Sequence, residues 1–248
     1  MSRGEPERWF FMHIPKTAGM TLYYRLIRHH GAALYPLPPD RGRPQAVMDV
    51  DHVERRFAAY RNQIRIITGH FPLCLGERLG IPLTTFTVLR DPVERTLSFL
   101  RQRQQQTTRY RGQPLEDVYA DPYLLHGFIH NYMVKVLTLT VDDMQHGVAT
   151  MVPYDDARLE RAKYNLEHRI EIFGLQEEFG DFSDRLAARF GWDLGEATTH
   201  LNRTNSSEVS EELRERIARD NAFDLDLYAF AKKLLERRRR AVSAMPTA

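Results

Sequence analysis

Four short runs of apolar and β-branched residues, Trp9–Ile14, Ile64–Thr68, Thr85–Leu89 and Ile170–Phe173, are separated by long amphipathic stretches. This alternation constrains the chain more than any other feature. Strands covered on both faces read as continuous apolar runs, whereas half-exposed strands alternate with polar residues. Such runs, spaced by helical patterns, predict an α/β fold of three layers, P-loop-like, with a central mostly parallel sheet flanked by helices.

The helical patterns lie between those runs. Thr21 to His30 carries Leu22, Tyr23, Leu26 and Ile27 at helical spacing. Asp91-Pro92 is an N-cap followed by proline at the first helical position, and Glu94 completes a capping-box-like pattern. Behind it Val93, Leu97 and Leu100 share a face. Asp121-Pro122 opens another expected helix, with Leu125, Phe128, Tyr132 and Val136 on its stripe. Two more follow, one on Phe179, Phe182, Leu186 and Phe190, the other on Leu227, Phe230 and Leu234. Tyr35 to Pro44, with four prolines, reads as a surface or cleft loop, and Gln102 to Pro114 as a polar loop. There is no internal repeat and no linker, so residues 1–236 are expected to form a single domain. The basic residues 237–248 are expected to be a flexible tail.

Composition removes several function classes. Apolar residues make up 42% and charged residues 27%, as in an ordinary globular protein. The net charge is only +2, too little for a generic nucleic-acid binder, and no aromatic residue lies among Arg237–Arg240. Cys74 is the only cysteine, so no intramolecular disulfide or cysteine-rich metal site forms. Nor is there an H-E-x-x-H, C-x-x-C or EF-hand pattern. No apolar run approaches the roughly 20 residues that span a membrane, and the polar N-terminus is unlike a secretory signal. The expected location is cytoplasmic.

Two segments carry chemistry. His13-Ile14-Pro15-Lys16-Thr17-Ala18-Gly19-Met20-Thr21 reads as a strand end, a tight turn and a helix start. Such a turn aims backbone N–H groups and a positive helix end at one point, which suits a phosphate. Lys16 adds charge, Thr17 and Thr21 add hydroxyls, and Gly19 permits close approach. The order differs from G-x-x-x-x-G-K-[ST], in which lysine follows the glycines. An ordinary strand-to-helix turn with an incidental lysine explains the same residues. The second segment is Arg90-Asp91-Pro92-Val93-Glu94-Arg95-Thr96-Leu97-Ser98. Arg90 leaves the carboxyl end of a strand, where open α/β sheets place ligands, and a guanidinium grips phosphate in bidentate fashion. Arg95 and Ser98, three residues apart, share a helix face. Here the alternative is a plain N-cap at Asp91, with the arginines paired to surface acids.

Together, a HIPKTAG-type loop and an RDPxxRxxS element about seventy residues later resemble the sulfotransferases that use 3′-phosphoadenosine-5′-phosphosulfate (PAPS). The resemblance is to the branch with the uronyl and heparan 2-O-sulfotransferases and their bacterial relatives. It extends to Thr68-Gly69-His70-Phe71-Pro72, Ala162 to Leu175, Leu201-Asn202-Arg203-Thr204 and Asn221 to Phe230. It implies that Lys16, Thr17, Ala18, Gly19, Met20 and Thr21 wrap the 5′-phosphosulfate, with Lys16 stabilising charge on the leaving group. Arg90 and Ser98 inherit the 3′-phosphate, Arg203 a place in a late loop over the site, and His70 the role of base. Met20 departs from the family's usual threonine or serine, and Thr68 stands where some relatives have a second histidine. His13, inside an apolar run, reads as a core histidine, and no role is supported for Asn131.

The reaction so implied moves a sulfuryl group to a hydroxyl of a carbohydrate, lipid or small molecule, leaving 3′,5′-adenosine bisphosphate (PAP). The acceptor and the oligomeric state are not legible. Arg41, Arg43, Arg101, Arg103 and Arg109 are candidates for a basic acceptor groove. The rival readings are a P-loop-type kinase, which lacks its motif here, and an inactive homologue that keeps the cofactor site.

Overall fold

The computed structural model describes residues 6–146, 149–195 and 209–243. The chain runs β1 (Trp9–Met12), α1 (Gly19–His30), β2 (Leu34–Tyr35), α2 (Pro44–Met48), α3 (Val50–Tyr60), β3 (Ile66–Gly69), α4 (Leu75–Leu79), β4 (Thr84–Leu89) and α5 (Pro92–Gln106). There follow α6 (Leu115–Tyr119), α7 (Pro122–Leu124), α8 (Tyr132–Thr138), α9 (Asp156–His168), β5 (Ile172–Leu175), α10 (Phe179–Phe190), α11 (Glu211–Asp220) and α12 (Ala222–Ser243). The five strands form one sheet in the order β2-β3-β1-β4-β5, and every pairing is parallel.

Side-chain alternation along β1 separates the two faces. Phe11, with Ile66, Phe86 and Val88, packs under Leu22 and Leu26 of α1 and Phe182 and Leu186 of α10. Phe10 and Met12 enter the larger core on the other face, with Phe57 of α3, Leu97 of α5, Val136 of α8 and Leu166 of α9. This is the expected three-layer α/β arrangement.

The winding direction reverses at the middle of the sheet. β1 connects through α1 to β2 on one side, while β4 leads on to β5 on the other. The carboxyl ends of β1 and β4 therefore bound the crevice in which doubly wound sheets hold ligands.

Several expectations are corrected. The proline-rich segment begins with β2, a short edge strand at Leu34–Tyr35. Helix α5 continues to Gln106, into the stretch expected as a loop. The helix expected from Asp121 is broken. After α7 the backbone widens into a π-helical stretch at Leu125–Ile129, turns left-handed at Asn131 (φ 44°), and restarts as α8. Buried cations hold the break. Arg95 donates to the Phe128 and Ile129 carbonyls, and Lys135 Nζ to those of His126 and Gly127. The tail expected from residue 237 is helical to Ser243. Arg239 binds Glu178 and Asp181 there, and Arg238 the Glu167 carbonyl.

Beside β1, His30 sits between the chain's two tryptophans, with ring centroids 5.9 Å from Trp9 and 4.7 Å from Trp192. Burial, helped by the neighbouring charge of His29, pushes its pKa down from 6.5 to about 4. A depressed histidine is neutral in the fold and binds a proton more readily once unfolded. Its contribution to stability is therefore present above 6.5 and is lost as pH falls towards about 4. Urea unfolding followed by tryptophan fluorescence should show a lower midpoint near pH 5 than near pH 7. His30→Phe should flatten that dependence; an equal fall in the variant would place the acid sensitivity elsewhere.

Candidate functional site

The carboxyl ends of β3, β1 and β4 lie side by side, with Met12 paired to both Gly69 and Thr87. Each strand leads directly into a residue singled out from the sequence: β3 into His70, β1 into the Lys16 loop, and β4 into Arg90. The second and third are joined across the crevice, where Arg90 Nη1 donates to the Lys16 carbonyl (3.0 Å).

The loop has an unusual backbone. Lys16 and Ala18 both have positive φ, 73° and 66°. Non-glycine residues hold such angles only when their surroundings fix them, and they concentrate at functional sites. Thr17 is buried and donates its hydroxyl to the Ile14 carbonyl (2.8 Å), so its side chain shapes the turn. The Thr21 amide bonds the Ala18 carbonyl (3.1 Å). Helix α1 starts at Gly19 with no side-chain cap and no acid in its first turn, an end suited to an anion. Met20 is 41% exposed on that first turn.

Basic groups converge on the loop. Burial, then Arg90 and Arg103, lower the pKa of Lys16. Arg90 Nε is buried without a hydrogen-bond partner among the described residues. A guanidinium with an orphaned buried donor beside an uncapped helix start fits a multiply charged phosphate ligand.

His70 lies at the edge of this cradle. Its Nδ1 is 2.7 Å from the His13 carbonyl. A carbonyl only accepts, so Nδ1 carries the proton and Nε2 of the neutral ring keeps its lone pair. Burial lowers the His70 pKa, opposed by that hydrogen bond, with Arg103 acting in the same direction as burial. The ring is neutral near pH 7, as a general base requires.

Other residues from the sequence lie deeper in these elements or in other parts of the fold. Ser98 is buried in the second turn of α5. Arg95, expected on its face, points into the core over the Tyr132 ring. Thr68 is buried in β3 with its hydroxyl unpartnered among the described residues. Arg203 and Thr204 lie outside the described residues. Of the arginines expected to line a groove, Arg41 donates to the Pro36 and Gly31 carbonyls, Arg43 lies by Asp40, and Arg109 pairs with Asp121. Arg103 lies over Phe99, near enough to Lys16 and His70 to lower both. Asn131 has a structural role. It links the starts of α8 and α12, accepting from the Asp224 amide and donating to the Asp220 carbonyl. Sequence reasoning placed His13 in the core, whereas the structure sets it against both Gly19 and His70.

No family model matches the sequence. Heparan-sulfate 6-O-sulfotransferase 2 from Homo sapiens is 30% identical over 179 residues, as is its counterpart from Mus musculus. The aligned stretch is 61% of this chain and 29% of each relative, so the chain spans less than a third of the curated relatives it matches. The homology supports a sulfotransferase family.

Proposed function

We propose that this chain, a relative of sulfotransferases, transfers a sulfuryl group from PAPS to a hydroxyl of a carbohydrate acceptor. The observation that carries this reading is the Arg90–Lys16 contact. It joins the two motifs across the crevice of the sheet and leaves Arg90 Nε free to meet an anion.

The donor supplies an activated sulfuryl group, whose bond to the 5′-phosphate breaks as a bond to the acceptor oxygen forms. The residues that would hold it are Lys16, Thr17, Ala18, Gly19, Met20 and Thr21 at the 5′ end, and Arg90 and Ser98 at the 3′-phosphate. Lys16 neutralises charge growing on the departing phosphate, together with the amides of the α1 start. His70 Nε2 takes the proton of the acceptor hydroxyl. Positioning accounts for most of the catalysis in group transfers of this type. The loss of a hydroxyl at Met20 removes one side-chain contact and keeps the backbone N–H. A carbohydrate acceptor is supported by the relatives, whose names specify heparan sulfate.

The test is a thermal shift with PAP, ATP plus magnesium, and 5′-AMP. At a hundredfold excess over Kd a specific ligand adds about 2.7 kcal/mol, or roughly 5–10 °C for a domain of this size. A shift with PAP alone is the expected result. A shift with ATP and magnesium but none with PAP would overturn the reading in favour of a kinase.

A further inference from the structure

His13 is the first residue after β1, and each of its parts touches a different piece of the site. Its amide donates to the Gly69 carbonyl at the end of β3 (3.0 Å). Its carbonyl accepts from His70 Nδ1 (2.7 Å). The ring stacks on Phe11, with centroids 5.3 Å apart and planes 9° from parallel. It also lies 4.6 Å from the His70 ring, tilted by 52°. Another edge of the same imidazole fills the space over Gly19, where an added β-carbon would be 1.9 Å from Nε2 and 2.0 Å from Cδ2.

One planar side chain therefore stands between the turn that begins α1 and the imidazole at the end of β3. Stacking on Phe11 removes its freedom to swing away. Gly19 is required here because of this ring, since any β-carbon would collide with it. Misplacement by about 1 Å at a distance from the reacting atoms costs on the order of a hundredfold in rate, so a rigid spacer between the two halves of a site has catalytic weight.

We propose that His13 is a positioning residue, whose ring sets the separation between the Gly19 turn of the donor loop and the His70 base and transmits displacement of one to the other. The importance of that spacing for catalysis rests on the sulfotransferase reading. The mechanical coupling itself does not.

The experiment is a cycle of four proteins: wild type, Gly19→Ala, His13→Ala and the double variant. The His70 hydrogen bond survives in all four because its acceptor is main chain. Two quantities are read, the PAP dissociation constant and the NMR signal of the His70 ring in the absence of ligand. Gly19→Ala is expected to weaken PAP about tenfold or more and to shift the His70 signal, because the new methyl drives the His13 ring. In the His13→Ala background the same substitution has room. PAP affinity should then be restored to that of His13→Ala alone, and the His70 signal should stay where His13→Ala leaves it. Non-additivity of this kind is the signature of direct coupling.

Equal effects of Gly19→Ala in both backgrounds overturn the proposal, as does a His70 signal that never responds. If His13→Ala does not fold, His13→Phe keeps the stack on Phe11 and fills the same space. With phenylalanine at position 13 the Gly19→Ala defect must persist, and its disappearance would refute the spacer role. A wild-type protein that does not bind PAP sinks the functional reading alone, since the NMR cycle still reports on the coupling.

Discussion

Replacing His70 with alanine is expected to lower turnover by about 10²–10⁴-fold and to leave PAP affinity unchanged. The loss follows from removing the group proposed as the base. Its Nδ1–H is committed to the His13 carbonyl, so only Nε2 is left to take the acceptor proton. PAP affinity is spared because the phosphate groups are assigned to Lys16, the α1 start and Arg90, none of which hydrogen-bonds the imidazole. The pH profile gives a second check. Burial holds the His70 pKa below its ordinary 6.5, so activity should rise with pH through a midpoint below that value and then level off. Turnover by His70→Ala above about a tenth of wild type would assign the base elsewhere. A midpoint above 6.5 would contradict the environment described for the ring.

Asp224→Ala is expected to have the largest effect on stability, about 3–5 kcal/mol. At 2–4 °C per kcal/mol for a chain of this size, the melting temperature should fall by roughly 6–20 °C. Asp224 is fully buried in the first turn of α12. Its two carboxylate oxygens accept the Met133 and Val134 amides at the start of α8, at 3.0 and 2.8 Å. Arg95, also fully buried, lies close enough to favour its charged form. Alanine would leave two helix-start amides unpaired and the guanidinium without its opposing charge. Asn keeps one acceptor and should cost less. Burial outweighs the favourable neighbours and raises the Asp224 pKa from 3.8 to about 6. Being raised, the group binds its proton more tightly folded than unfolded. This one carboxyl therefore lowers stability as pH rises from about 4 to about 6, opposite in sign to His30. A melting temperature for Asp224→Ala within a degree or two of wild type would mean that the network carries little of the fold.

The central strands were legible in the sequence because a parallel sheet covered on both faces needs continuous apolar runs. Their ends were less so. The run at Trp9–Ile14 stops being strand at Met12, where His13 must turn to meet Gly69 and Gly19, a contact made across the sheet. Helix α3 was missed although Asp49 caps it and Val50, Val53 and Phe57 form its buried stripe. Helix α9, with Leu159, Ala162 and Leu166 buried, was missed in the same way. Both carry many charges between apolar positions, and this dilutes a short stripe. The Asn131–Asp224 link joins residues about ninety positions apart and has no local signature. The burial of Arg95 and Lys135 has no sequence signature, because cations are seldom fully buried. The loop and Arg90 were legible because both lie directly after strands, where side-chain type and topology give the same answer.

The place of β1 in the sheet also has a consequence for synthesis on the ribosome. Both of its partners, β3 and β4, lie far downstream, so Trp9 meets Ile66 on one side and Thr84 on the other. A nascent chain must extend past Arg90 before the first strand has its neighbours and before the Lys16 turn has the guanidinium that grips its carbonyl. Long-range parallel pairing of this sort is slow to form. The Lys16 turn is thus completed only after the whole stretch from β1 to Arg90 has been made.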